Sequence, residues 1–217
     1  MVGKPNQKIT PAPLSPIPVT QEAFESIMLD CVGPLQKTKH GHEYMLTIMC
    51  TATRFPEAIP LRTISAKKIV EALLKFFSTF GLPRRIQTDQ GSNFLSNIFA
   101  QVMKELNITH YKSSAYHPES QGAIERFHQT LKNMIRAYCL DTGNQWDESL
   151  PFLLFAVRES VQESLGFSPF ELVFGHTVRG PLAVLKDAWL DSSCQSNLLK
   201  YVLDFKYHLH KANELAQ

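Results

Sequence analysis

The sequence predicts an α/β fold: a mixed five-stranded sheet with helices on both faces. Three observations predict it. Three apolar runs of strand length follow one another between residues 24 and 62, separated only by short polar turns. Two further short strands then alternate with segments whose apolar residues recur at helical spacing. Beyond residue 118 the pattern is helical alone. The resulting order, β-β-β-α-β-α-β-α-α, buries one sheet between two layers of helices.

Composition agrees with such a core. Of 217 residues, 44% are hydrophobic and 19% are charged, ordinary proportions for a globular domain. The net charge is +2 and the pI about 8.3. That balance permits nucleic-acid binding without demanding it, since dedicated basic binders sit above roughly pI 9. Cys31, Cys50, Cys139 and Cys194 form no CxxC pair and read as free thiols in a reducing compartment. No apolar run approaches the roughly 20 residues of a membrane span, and no apolar signal region opens the chain. A soluble intracellular protein is expected.

The elements follow in order. Residues 1–22 carry Pro5, Pro11, Pro13, Pro16 and Pro18 and no periodic apolar face, which predicts an extended linker or arm. FESIMLDCVG reads as a strand closed by a turn at Gly33-Pro34. YMLTIMCTATRF is a buried strand, EAIPLR a third, and the three form an antiparallel meander. In SAKKIVEALLKFFSTFG, Ser65 is the expected N-cap, with Ile69, Leu73, Phe76, Phe77 and Phe80 on one face. Gly81 and Pro83 end that helix. RRIQT is the fourth strand. FLSNIFAQVMKELN predicts a helix burying Phe94, Ile98, Phe99, Val102, Met103 and Leu106, with Asn93 as its simplest cap. ITHYKSS is the fifth strand. A long helix over about 118–140 turns Ile124, Phe127, Leu131, Ile135 and Tyr138 to the core. WDESLPFLLFAVRESV and SPFELVFG add two more helices. The core domain is therefore expected over 23–185, with a C-terminal linker helix over 186–217.

Three acids stand out by position. Asp30 lies inside a strand, where an unpaired buried carboxylate is costly. Asp89 follows the fourth strand, at the carboxyl end where open α/β sheets hold ligands. Glu125 lies on the long helix, with 35 residues between it and Asp89. Two strand-borne acids and one on a facing helix can converge on a hard divalent cation such as Mg²⁺ or Mn²⁺. Gln121, Glu125, His128 and Lys132 recur at helical steps and share one stripe. The loop before it, SSAYHPESQG, offers Tyr116 and His117 for stacking or phosphate contact.

Each of these residues also has a plainer reading. An Asp before Gly91 is a common turn former, and a helical Glu is usually a solvated charge. Gln121 and Lys132 need no function on an exposed face, and Tyr116 could simply pack. His128 could be a hydrogen-bonded histidine at the core edge. His40 and His42, like His208 and His210, sit two apart without cysteine partners, so zinc is not expected there. The triad stands on its joint placement.

At these residues the chain resembles a known family. LDCVGPL, TDQGSNF and YHPESQGAIERFHQTLK resemble the DDE signature of retroviral and LTR-retrotransposon integrases, and GFSPFELVFG resembles the gypsy-like branch. The resemblance runs from about Phe24 to Leu185. It implies an RNase H-like core with Asp30, Asp89 and Glu125 as catalytic metal ligands for two Mg²⁺ or Mn²⁺ ions. It also implies 3′-end processing and strand transfer of element DNA into target DNA, in the nucleus. Tyr116, His117, Gln121, His128 and Lys132 are the expected DNA contacts. Where the family often carries asparagine, this sequence has His128, a residue familiar in the gypsy branch. Neither the HHCC zinc domain nor the small β-rich domain that usually flanks such cores is present in these residues, so a core fragment or reduced descendant is expected. The rival reading is a domesticated, non-catalytic DNA- or protein-binding module. A homodimer or higher homo-oligomer is also expected. Phe152, Leu153, Leu154, Phe155, Ala156 and Val157 exceed what one helix face needs, and the helix beginning at Ser65 would complete the interface.

Overall fold

The structure, a computed structural model, describes residues 22–112, 118–143, 145–163 and 165–180, together with positions 207 and 211. The proline-rich arm, the loop carrying Tyr116 and His117, and nearly all of the C-terminal linker helix lie outside the described residues.

The strands are β1 (Ser26–Val32), β2 (Tyr44–Cys50), β3 (Pro56–Leu61), β4 (Arg85–Thr88) and β5 (Thr109–Lys112). The helices are α1 (Ala66–Phe80), α2 (Asn97–Glu105), α3 (Pro118–Thr142), α4 (Trp146–Glu159) and α5 (Pro169–Phe174). The sheet order is β3-β2-β1-β4-β5. β1, β2 and β3 pair antiparallel as the expected meander. β4 joins β1 in parallel, and β5 joins β4 in parallel. This is a mixed five-stranded sheet of the RNase H-like kind.

Alternation along the strands divides the core in two. Ile27, Leu29, Leu46, Ile48 and Ile86 pack with α1 and α2 through Ile69, Leu73, Phe76, Phe99 and Met103. Met28, Val32, Met45 and Met49 face the other way, onto Phe127, Leu131, Tyr138, Leu150 and Leu153 of α3 and α4. The helices cover both faces, as expected. Asp30 shares its parity with Met28 and Val32, so the α3–α4 face receives it.

Ser65 caps α1 by accepting from the Lys68 N–H at 3.4 Å. The turn at Gly33-Pro34 is also present, and Gly33 has φ +145° with the Tyr44 ring packed where a Cβ would stand. The second helix departs from expectation. It begins at Asn97 rather than Phe94, and its cap is Ser96, whose Oγ accepts from the Phe99 N–H at 3.2 Å. Asn93 does not cap it. A turn accounts for this, because the Phe94 and Leu95 N–H groups both donate to the Gly91 carbonyl. Phe94 is buried from that turn, while Ile98, expected in the core, is 55% exposed. On α3 the sequence offered Ile135 to the core, but Met134 is the buried residue and Ile135 only packs at its edge.

Candidate active site

The register of the two parallel strands builds the site. Leu29 pairs with Thr88 across β1 and β4. Asp89 follows the last residue of β4, so it comes beside Asp30 of β1, one step past that pair. α3 crosses this face and contributes Glu125 on its exposed side. Asp30, Asp89 and Glu125, together with Met28, Leu29, Gln87, Thr88 and Ile124, line one cavity of about 200 Å³. Two larger cavities elsewhere on the protein, one lined by Lys132 and Trp146 and one by Arg54 and Phe127, carry no carboxylate in their linings.

Asp30 is the electrostatic centre of the site. Burial pushes its carboxyl up to about 6, while the Cys31 N–H donated to Oδ1 at 2.7 Å works against that. The charge of Asp89, and more weakly that of Glu125, pushes the same way as burial, and Lys132 opposes them. Cys31 feels the same field. Burial first, then Asp30 and Asp89, drive its thiol to about 12, so it is no nucleophile. Asp89 makes a local bond as well, its Oδ1 accepting from the Gly91 N–H at 3.0 Å. The turn-forming reading of Asp89 is therefore true of one oxygen, and it leaves Oδ2 available.

His128 is buried at the edge of the site. Its Nδ1 lies 3.4 Å from Asp30 Oδ2, and its Nε2 lies 2.6 Å from Thr47 Oγ1. This close approach is not an ion pair at neutral pH. Burial, helped by the charge of Lys132, holds the imidazole down at about 4, so the ring is neutral. Thr47 donates its hydroxyl proton to the Asp30 carbonyl at 3.0 Å. The neutral ring has one proton to place: on Nε2 it is donated to Thr47, and on Nδ1 it is donated to Asp30 Oδ2. The geometry is that of the hydrogen-bonded core-edge histidine, not of a residue presented to solvent.

A second such chain flanks Asp89. Thr88 donates to the Asp89 carbonyl at 2.7 Å, and His110 Nε2 lies 2.9 Å from the same hydroxyl. Each strand aspartate thus has its backbone carbonyl held by a threonine that is held in turn by a histidine. Sequence reasoning missed Thr47, Thr88 and His110. Threonine in a strand reads as an ordinary β-former, and no spacing rule links His110 to Thr88.

Of the remaining expected residues, Lys132 is exposed and lines a larger cavity of about 560 Å³ with Lys37 and Arg136. Tyr116, His117 and the Gln121 side chain lie outside the described residues. No helix among the described residues is long and apolar enough to cross a membrane.

Comparison with known proteins bears on this arrangement. The family model described as integrase core domain matches residues 21–118. The retrovirus-related Pol polyprotein from transposon 412 of Drosophila melanogaster is 32% identical over 173 residues, which is 79% of this chain and 14% of that polyprotein. The Gag-Pol polyprotein of avian reticuloendotheliosis virus is 32% identical over 138 residues, 63% of this chain and 12% of the relative. This chain thus spans about one seventh, or less, of these relatives. Among solved structures, the HTLV-2 integrase catalytic core domain in complex with magnesium superimposes with TM-score 0.58 at 21% identity, over 69% of this chain and 95% of that one. The catalytic core domain of BIV integrase gives 0.59 at 22%, over 70% and 95%. At that identity the structures attest the fold alone.

Proposed function

The chain belongs to the integrase core domain family, and from that premise we propose that it is a metal-dependent polynucleotidyl transferase that trims DNA 3′ ends and joins them to target DNA. The observation that carries this reading is the convergence of Asp30, Asp89 and Glu125 on one cavity, with no lysine or arginine among the described residues bonded to Asp30. An all-oxygen donor set suits hard divalent ions. The raised Asp30 carboxyl fits as well, because a nearby cation favours the ionised form and offsets the effect of burial and of the neighbouring carboxylates. The three carboxylates are the proposed ligands of two Mg²⁺ or Mn²⁺ ions. When bound, the ions supply activation of the attacking oxygen and neutralisation of charge on the leaving one.

The protein's own residues do the positioning. Thr47 and Thr88 fix the backbone of the two strand aspartates, and His128 closes the site from the core side without adding charge. Lys132, with Lys37 and Arg136, offers phosphate contacts along α3, and Gln121, Tyr116 and His117 remain proposed DNA contacts. In the first step water attacks phosphorus in line near a DNA 3′ end and a 3′-hydroxyl leaves. In the second, that hydroxyl loses its proton, attacks a target phosphodiester, and displaces the target 3′-oxygen. No enzyme-linked intermediate forms. On this reading the protein acts in the nucleus, where target DNA resides.

Glu125→Gln tests the reading. Strand transfer on oligonucleotides with Mg²⁺ or Mn²⁺ should fall by at least about a thousandfold, since the cations supply most of the charge stabilisation. The same variant should retain its melting temperature and metal-free DNA affinity, which rests on Lys and Arg contacts. Equal inactivity of wild type and variant under both metals, with flanking integrase domains supplied, would favour the non-catalytic module.

A homodimer is the proposed assembly. On α4, Phe152, Phe155 and Val157 are only partly covered, and Leu74 of α1 is exposed. Light scattering at tens of micromolar should give twice the chain mass, and a strictly monomeric mass would overturn this.

A further inference from the structure

The connection between β1 and β2 is tied to the start of α4. Within it, the Thr38 N–H donates to the His42 carbonyl and the Gly41 N–H to the Thr38 carbonyl, with Gly41 at φ +81°. This tight turn sets His40 and His42 facing the same neighbour. The Lys39 N–H donates to Gln145 Oε1 at 3.1 Å, and Trp146 Nε1 donates to the Gln36 carbonyl at 2.7 Å. Asp147, in the first turn of α4, completes the cluster. Its side chain is only 3% exposed.

One oxygen of Asp147 is oversubscribed. Oδ2 lies 2.9 Å from Thr38 Oγ1, 3.0 Å from His40 Nδ1 and 2.7 Å from His42 Nδ1. Oδ1 accepts the Glu148 N–H at 3.1 Å. A carboxylate oxygen has two in-plane lone pairs, so three donors on Oδ2 cannot all bond well. A cation at the point where the two imidazoles and the carboxylate meet would replace two of them.

We propose that His40, His42 and Asp147 form a transition-metal site, for Zn²⁺ in the first instance, that staples the β1–β2 connection to α4. The three ligand atoms lie within 4.8 Å of one another. Bonds of about 2.0–2.1 Å in a tetrahedron place ligand atoms about 3.3 Å apart, so the two short contacts open by a few tenths of an ångström. Two imidazoles with one carboxylate select Zn²⁺ and its neighbours over Mg²⁺ or Ca²⁺. Water fills the fourth position on the side of His40, which is 54% exposed. The outer groups are in place. Thr38 and the Glu148 N–H hold the carboxylate, and Glu148 Oε1 stands 4.0 Å from His40 Nε2. Coordination through Nδ1 requires each ring to carry its remaining proton on Nε2. The sequence concealed this because the third ligand lies 105 residues beyond His42, while spacing rules look for cysteines nearby.

The test is Zn²⁺ titration of the full chain, read by thermal melting and, with Co²⁺, by visible absorption. Wild type should gain roughly 5 °C at a hundredfold excess over Kd, with one equivalent of Co²⁺ giving a tetrahedral band. Asp30→Asn should keep both signals, which separates this site from the three-carboxylate cavity. His40→Ala, at an exposed position that leaves the fold intact, should weaken Zn²⁺ by at least about tenfold, and His40→Ala/His42→Ala should abolish the band. Absence of both signals in wild type, their survival in the double variant, or their loss in Asp30→Asn would each overturn the proposal.

Discussion

Asp30 and Asp147 sit on the same side of the sheet and are treated in opposite ways. Asp30 is a strand residue with one backbone donor on Oδ1 and His128 Nδ1 at 3.4 Å from Oδ2, and burial lifts its carboxyl to about 6. Asp147 is the more covered side chain. Burial alone would raise it too, yet bonds from His42, Thr38 and His40 outweigh burial and hold it below the usual carboxylate range. At Asp147 the donors outweigh burial, and at Asp30 the single Cys31 N–H does not. Asp147 fastens two segments together through its donors, while Asp30 has few donors and faces two further carboxylates across one cavity.

The difference should appear first as opposite signs of stability change. Asp147→Asn removes the charge that three donors address, and should cost about 2 kcal/mol, a fall of roughly 4–8 °C in melting temperature. Asp30→Asn should move the other way without divalent metal at pH 7.5. It removes a carboxylate that the fold would rather keep protonated, and after discounting for solvent screening the stabilisation is on the order of 1 kcal/mol, or roughly 3 °C. Calorimetry on the two variants reads both. A fall for both would mean that Asp30 is bonded by more than the Cys31 N–H.

The sequence made one aspartate legible and hid the other. Asp30 breaks an apolar strand, and a strand acid demands an explanation at once. Its partners Asp89 and Glu125 follow from strand-end placement and from the family resemblance. The sheet and most helices were legible because period 2 and period 3.6 were written plainly, as in IVEALLKFF of α1. The α2 boundary was not, because the backbone bonds to Gly91 that displace it carry no side-chain pattern. Asp147 was invisible for another reason. An acid in the first turn of a helix is expected simply from the helix dipole, so nothing marked it for special attention. Three of its contacts come from a turn more than 100 residues earlier, and only the fold brings them together.

The smallest effect sharpens the comparison most, since it depends on pH. Asp30 has a folded-state value near 6 against an ordinary 3.8. Between those values the unfolded chain has already ionised while the folded one still holds its proton, so stability is lost as pH rises through the window and the loss is complete above about 6. The melting advantage of Asp30→Asn should therefore be near zero below pH 4, grow between pH 4 and 6, and stay level above. His128, held at about 4, acts in the opposite sense, costing stability as pH falls from 6.5. It is present in both proteins, and the difference between them removes most of its contribution. Mg²⁺ should follow the same curve. At pH 7.5 it meets a carboxylate and should raise the wild-type melting temperature by a few degrees, whereas at pH 5 it must displace the Asp30 proton and should do little. A Mg²⁺ shift of equal size at both pH values, or one that persists in Asp30→Asn, would place the ion on carboxylates other than Asp30.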